Sequence, residues 1–364
     1  MQPRPKSRRW FWLVLFACFG VVAVFRLRHL DEPMHKGRPV RVWVEQCFSL
    51  RPPGDIARKE LPKIGTPAVP LLRANLKLKD SWLRKRWYKS MSGQPAWLRN
   101  WLPEGLPVQD IRFITHGLLS QLGTNAVAAV PDLIWIVERK RDPVLFAVEN
   151  LGNIGPAASN ALPVLRAFVF TNSFEQANLA AAIWKIDNDT KAALNRLLPL
   201  LTNQLDFTAA TVLGYMGPAA APAAPALADI VASSTKPMGL RMNSANSLGR
   251  IGVNDGSVRE AYLLGMKASN TWLEVSCALG LWRIDETFGP KALSLHLEII
   301  EESKGTPDHK NRILYLLRDY KMAPEQAIPI LRSLVESGSG KQRRHAIEAL
   351  QMLTNQPPSR LPTQ

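Results

Sequence analysis

The chain has 364 residues, 46% of them hydrophobic and 21% charged, with a formal net charge of +16. That length suits two ordinary domains or one extended repeat array. The charge is lopsided, residues 1–110 holding 21 Lys or Arg against 8 Asp or Glu and residues 111–364 holding 25 against 22, which excludes a body basic all over. Three cysteines, Cys18, Cys47 and Cys277, give neither paired spacings nor a CxxC, which excludes a disulfide framework and a zinc knuckle.

A basic tail, residues 1–9, precedes an uninterrupted apolar run of 16 residues from Trp10 to Phe25. The run reaches about 24 Å as a helix, short of the roughly 30 Å hydrocarbon core, and Trp10, Trp12 and flanking Arg stems extend it into the interface. It is expected to be a single transmembrane anchor with the tail in the cytoplasm and the rest outside. Two alternatives stay open: a signal segment cleaved near Ala23, giving a secreted protein, and a lipoprotein attached at Cys18 after Leu15, Phe16 and Ala17.

Residues 26–44 are expected to be a linker. From about residue 45 to 354 a short apolar stretch ending in a helix stop recurs. It starts at Leu61, Leu119, Leu151, Ile183, Leu213, Leu248, Leu281, Leu316 and Leu350, at intervals of 58, 32, 32, 30, 35, 33, 35 and 34. A period in the low thirties marks stacked supersecondary units that cannot bury their apolar faces alone. Val144, Ala147, Val148, Leu151 and Ile154 follow helical spacing, Gly155 and Pro156 stop that helix, and Leu162, Leu165 and Phe168 begin a second one. Gly155 and Gly217 are read as left-handed helix ends, while Gly123, Asp187 and Gly252, followed by Thr, Asn or Asp, carry turn or cap chemistry. A proline marks six of the second helices, at Pro70, Pro131, Pro163, Pro199, Pro225 and Pro329, and must lie in a first turn or a kink.

The long first interval contains an insertion, residues 79–103, that interleaves Trp82, Trp87, Trp97 and Trp101 with Arg84, Lys85, Arg86, Lys89 and Arg99. These residues are the candidate contact site. They pack back as a cap on the first repeats, or meet a membrane surface, or meet a partner through Trp and Arg anchors. Trp184 and Trp282 stand where Gly152, Gly214 and Gly249 stand in other units and are read as filling between repeats.

The segments LGNIGPAASNALPVL and LGYMGPAAAPAAPALADI resemble HEAT repeats of the short, PBS-lyase-like type over about residues 45–354. The resemblance implies an all-α, right-handed α-solenoid of eight to nine helix pairs, with residues 355–364 a polar tail. It also implies that second helices line an inner face, where Asp132, Arg139, Arg166 and Arg196 are candidate solvent-facing contacts. The family often carries Arg seven positions before the landmark Leu; Arg112, Arg241 and Arg343 fit, whereas Val144, Gln176, Asp206, Glu274 and His309 do not.

Chemistry finds little support in the residues. The iron-binding His-Glu dipeptides of a related repeat hydroxylase are missing, and His29, His35, His116, His296, His309 and His345 are scattered. Cys277 and His296 form no nucleophile motif, and the LGxIG copies end helices instead of opening them, unlike phosphate loops. The expected function is a membrane-anchored scaffold that binds a protein partner through its concave face, with no cofactor, metal, nucleic acid or small-molecule substrate. The alternative is a HEAT-like enzyme or bilin-lyase-type protein with a site assembled across repeats.

Overall fold

The computed structural model describes residues 32–49, 52–82, 85–86, 89–90, 106–141, 143–202, 207–268, 270–289, 291–292, 324–337 and 340–354. It is mostly helical. The chain forms two compact units, residues 1–167 and 168–364. Among the described residues no helix is long and apolar enough to cross a membrane. The expected anchor at residues 10–25, the tail at 1–9 and the polar tail at 355–364 lie outside the described residues.

The first unit opens where a linker was expected. Met34–His35 (β1) and Arg38–Pro39 (β2) pair as an antiparallel hairpin, turned by Lys36 and Gly37, both at positive φ. Val40–Cys47 (α1) follows at once. Its Val40, Trp43, Val44 and Cys47 are buried, and α1 packs on Pro52–Ile64 (α2), so residues 34–44, within the expected linker, cover the first helix pair. Trp43 Nε1 donates to the His35 carbonyl (3.0 Å), and Glu60 on α2 accepts from His35 Nε2, Lys36 Nζ (both 3.0 Å) and Lys63 Nζ (2.9 Å). A two-strand ribbon this short would not hold by itself, and the Glu60 carboxylate supplies the tie.

Beyond this cover the unit contains Val69–Leu76 (α3), Val108–Leu122 (α4), Val130–Glu138 (α5), Val144–Ile154 (α6) and Leu162–Ala167 (α7). First helices pack on first helices, α2 on α4 and α4 on α6, and second helix α7 packs on α5. Of the predicted apolar positions, Ala147, Val148, Leu151, Ile154 and Leu165 are buried, and Val144, Leu162 and Phe168 are half-buried.

The second unit repeats the arrangement with Ser173–Asp187 (α8), Thr190–Leu197 (α9), Thr208–Met216 (α10), Ala224–Ala232 (α11), Met238–Ile251 (α12), Gly256–Met266 (α13) and Thr271–Ile284 (α14). Helices α8, α10, α12 and α14 pack in succession, and α11 packs on α13 behind them. Pro324–Ser337 (α15) pairs with Gly340–Thr354 (α16). Where described, each predicted stop falls at the end of a first helix; the copy at Leu316–Tyr320 lies outside the described residues. Pro70, Pro131, Pro163 and Pro225 each sit one residue into a second helix, where the missing N–H is an orphan anyway.

Among the described stops at positive φ two kinds are present, and they divide differently from the sequence expectation. Gly155 (φ 74°, ψ −145°) and Gly217 (φ 60°, ψ −139°) are not left-handed helical; they occupy a region that essentially only Gly enters. Gly65 and Gly123 share it. Each of these four leads into a short 3₁₀ turn before the second helix. Asn188 and Gly252 are the true left-handed caps, and there an aspartate, Asp189 or Asp255, accepts from the backbone N–H of Ala192 or Val258 to start the next helix. Gly123 therefore belongs with Gly155, because Thr124 and Asn125 do not cap a following α-helix.

The glycine beside the landmark Leu has a packing reason. A Cβ on Gly214 would lie 2.6 Å from Ser247 Oγ, and one on Gly249 3.0 Å from Gly280 Cα, so α10, α12 and α14 approach through small residues. On its other side Gly280 faces the ring of Tyr262, fully buried, whose hydroxyl donates to the Ala245 carbonyl (2.9 Å). Trp282 is buried against Leu331, Val335 and Ala346, and Trp184 is half-buried against the core of α8 to α14.

Candidate interaction surface

The insertion leaves α3 at Leu78, whose carbonyl accepts from Arg112 on α4, so the start of the inserted segment is clamped to the next first helix. The chain then makes a turn, Lys85 N–H donating to the Ser81 carbonyl (3.0 Å). Trp82 is 67% exposed, and the Arg86 guanidinium sits 5.4 Å from its ring centre. Lys85, Arg86 and Lys89 are exposed as well. The structure thus brings Trp82 and Arg86 together. The side chains of Arg84, Trp87, Trp97, Arg99 and Trp101 lie outside the described residues.

Of the four residues expected on an inner face, Arg139 and Arg166 are exposed and Arg196 is half-buried. Asp132 departs from the expectation. It is buried in the first turn of α5, bonded to Arg73 Nε and with Lys77 Nζ 2.5 Å from its Oδ1. Burial alone would raise its pKa, but the hydrogen bonds and charges of Lys77 and Arg73 outweigh this and hold the carboxyl below the usual range. The carboxylate is a strut between α3 and α5, not a free contact.

Sequence reasoning missed what gathers around it. Lys77 Nζ also lies 5.8 Å from the centre of the Trp135 ring, and the Arg141 guanidinium lies 5.3 Å from the same ring. Counting from the marker prolines would have found it: Arg73 is three residues after Pro70 and Asp132 one after Pro131, which places both on the early turns of neighbouring second helices.

The arginines at the landmark positions are structural. Arg241 donates through Nε and Nη2 to the Val231 carbonyl (3.1 and 2.9 Å) and Arg343 through Nη2 to Glu336 (3.3 Å), as Arg112 does to Leu78. Each reaches back to carbonyls at or just past the C-terminus of the preceding helix, where the dipole is negative. Gln176 keeps the role without the charge, donating to the Phe170 carbonyl (2.7 Å).

Groups that could carry chemistry are embedded. His116 is 1% exposed, its Nδ1 2.8 Å from Asn150 Nδ2, and its Nε2 has no partner. Burial, and secondarily Arg112, pull its pKa down to about 4. Burial pushes the Cys277 thiol up to about 12 and the Cys47 thiol to about 11, so neither is a thiolate at neutral pH. His296 lies outside the described residues. Among the described residues no group of three His, Cys, Asp or Glu could hold a metal ion. A cleft of about 500 Å³ between α1, α3 and α4 is lined largely by apolar groups, including Phe48, Leu71, Leu78 and Ile111, and its two charged residues, Arg41 and Glu45, pair with each other at 3.1 Å.

No protein-family model matches the chain. Nor does any curated protein.

Proposed function

We propose that the chain is a membrane-anchored binding scaffold whose helix pairs stack as a right-handed α-solenoid of HEAT type and present their second helices to a protein partner. The observation that carries this reading is the packing order within each unit: first helices lie on one another, α2–α4–α6 in the first and α8–α10–α12–α14 in the second, and the second helices α5 with α7 and α11 with α13 lie together behind them. Stacks of this kind extend a surface one repeat at a time instead of closing around one reacting centre. The commitment of Arg241, Tyr262, Cys277 and Asp132 to capping, packing and bracing supports the same reading, since none is left aimed at a substrate.

Photo-crosslinking in the native membrane tests it, with a benzoylphenylalanine placed at Arg139 or Arg166 on second helices and, as a control, at Ser120 on a first helix. The expected result is a discrete protein adduct from the second-helix positions and none from the control. Equal labelling from both faces, or stoichiometric iron in the purified full chain, overturns the scaffold reading.

A further inference from the structure

We propose that the C-terminal edge of α3 and α5, together with the turn that starts the insertion, is a docking surface for an anionic lipid bilayer. It rests on the membrane anchor of that reading and shares Arg139 with the second-helix face; a protein adduct at Arg166, which lies outside this edge, tests the scaffold separately from lipid quenching at the edge itself. Residues 69–90 and 130–141 carry ten Lys or Arg against three Asp or Glu, and one of those three acids, Asp132, is already bonded to Arg73 and Lys77. Of the ten cations, Lys77, Lys79, Lys85, Arg86, Lys89 and residues 139–141 are exposed, whereas residues 111–364 taken together are nearly balanced in charge.

Helix-dipole compensation accounts for one cation at the end of α5 but not for the arrangement found. The helix closes with Arg139 N–H on the Trp135 carbonyl (3.1 Å), Lys140 N–H on Val137 (3.1 Å) and Arg141 N–H on Ile136 (3.0 Å). This motif places Lys140 at φ 48°, a position Gly fills without penalty. Instead of Gly the sequence has three consecutive cations, with the Arg141 guanidinium on the Trp135 ring. Lys77 on the adjacent helix end meets the same ring, and Trp82, five residues further on and so within about 18 Å of it, is exposed with Arg86 stacked on it. An exposed Trp paired with Arg, set among lysines, matches the headgroup layer of an acidic membrane, where the ring enters the interface and the cations meet phosphates.

Tethering decides between a bilayer and an acidic protein. Glu32, tied to α1 through the Arg41 backbone N–H (3.1 Å), is seven residues from the end of the apolar run at Phe25. Fully extended, that stretch spans about 25 Å, so an anchored run holds this unit beside the bilayer at high effective concentration.

The test uses the full chain reconstituted in phosphatidylcholine vesicles and in vesicles with about one-third phosphatidylglycerol, each containing brominated lipid that quenches tryptophan on contact. Quenching is expected to rise in the acidic vesicles, and that increment is expected to vanish in about 0.5 M salt, where screening is nearly complete. It is also expected to vanish in the variant Arg139→Gln, Lys140→Asn, Arg141→Gln, and to shrink in Trp82→Phe. Far-ultraviolet circular dichroism checks that the variants keep their helices, and the salt series on the unaltered chain needs no variant. Equal quenching in both vesicle types overturns the proposal. So does saturable binding of a polyglutamate peptide in neutral vesicles that the triple variant abolishes while lipid quenching persists, an outcome that assigns the edge to an acidic protein.

Discussion

Replacing Gly217 and Gly252 by Asn separates the two kinds of helix stop. Neither site is sterically limited: a Cβ on Gly217 would approach nothing nearer than the Arg250 carbonyl at 3.9 Å, and one on Gly252 would have nothing within 4 Å. The difference lies in the backbone alone. Gly252, at φ 79° and ψ 16°, is in the left-handed well that Asn tolerates, and Asn188 already occupies the equivalent place two stops earlier. Gly217, at ψ −139°, lies outside that well, so any Cβ-bearing residue is strained by about 2 kcal/mol. Gly252→Asn should therefore change stability by no more than a few tenths of a kcal/mol, and Gly217→Asn should cost about 2 kcal/mol. Native-state hydrogen exchange on the full chain reads this directly. The most protected amides of α10 and α11 should exchange roughly thirtyfold faster in Gly217→Asn and near the unaltered rate in Gly252→Asn. Equal effects at the two sites would refute the division, and with it the reason Gly recurs at 65, 123, 155 and 217.

Gly280→Ala should cost about 1–3 kcal/mol, read as a lower midpoint of urea unfolding, because its new methyl enters the buried Tyr262 ring. Arg241→Met should cost about 2–3 kcal/mol in the same assay by removing two charged hydrogen bonds from the Val231 carbonyl, and Arg241→Lys should not restore it, since one ammonium cannot supply the fork. Acid should destabilise the first unit in two windows. His116, at about 4 when folded against an ordinary value of 6.5, binds its proton more readily when unfolded; stability is complete above about pH 6.5 and falls as pH drops towards 4, by on the order of 3 kcal/mol. His116→Phe should remove that slope, and an NMR titration showing His116 protonated near pH 6 would refute it. Hydrogen bonds from Lys63, His35 and Lys36 hold Glu60 at about 2, so its contribution is present above about pH 4.5 and lost as pH falls towards 2; Glu60→Gln should flatten that lower window.

The helical architecture and the places where helices end were legible in the chain because both depend on local chemistry. Leu151 and Ile154 repeat at helical spacing, Gly and Asp end helices, and Pro131 or Pro225 opens one, whatever surrounds them. The separation of Gly155 from Gly252 was not legible, because one residue type serves both geometries and the choice lies in ψ. Nor was the hairpin at residues 34–39, whose strands are too short to show a period and are held by Glu60, 25 residues away from His35.

Tertiary structure alone decided what each polar side chain does. Asp132 reads as a wet helix position until Arg73 and Lys77, 59 and 55 residues earlier, are brought against it by the stacking of α3 on the elements around α5. Arg112, Arg241 and Arg343 share a sequence position, but only packing shows that their guanidinium groups close the helix before. The physical reason is range: backbone preferences act over a few residues and are written in order, while ion pairs, caps and aromatic contacts depend on which distant segments the hydrophobic stack places side by side.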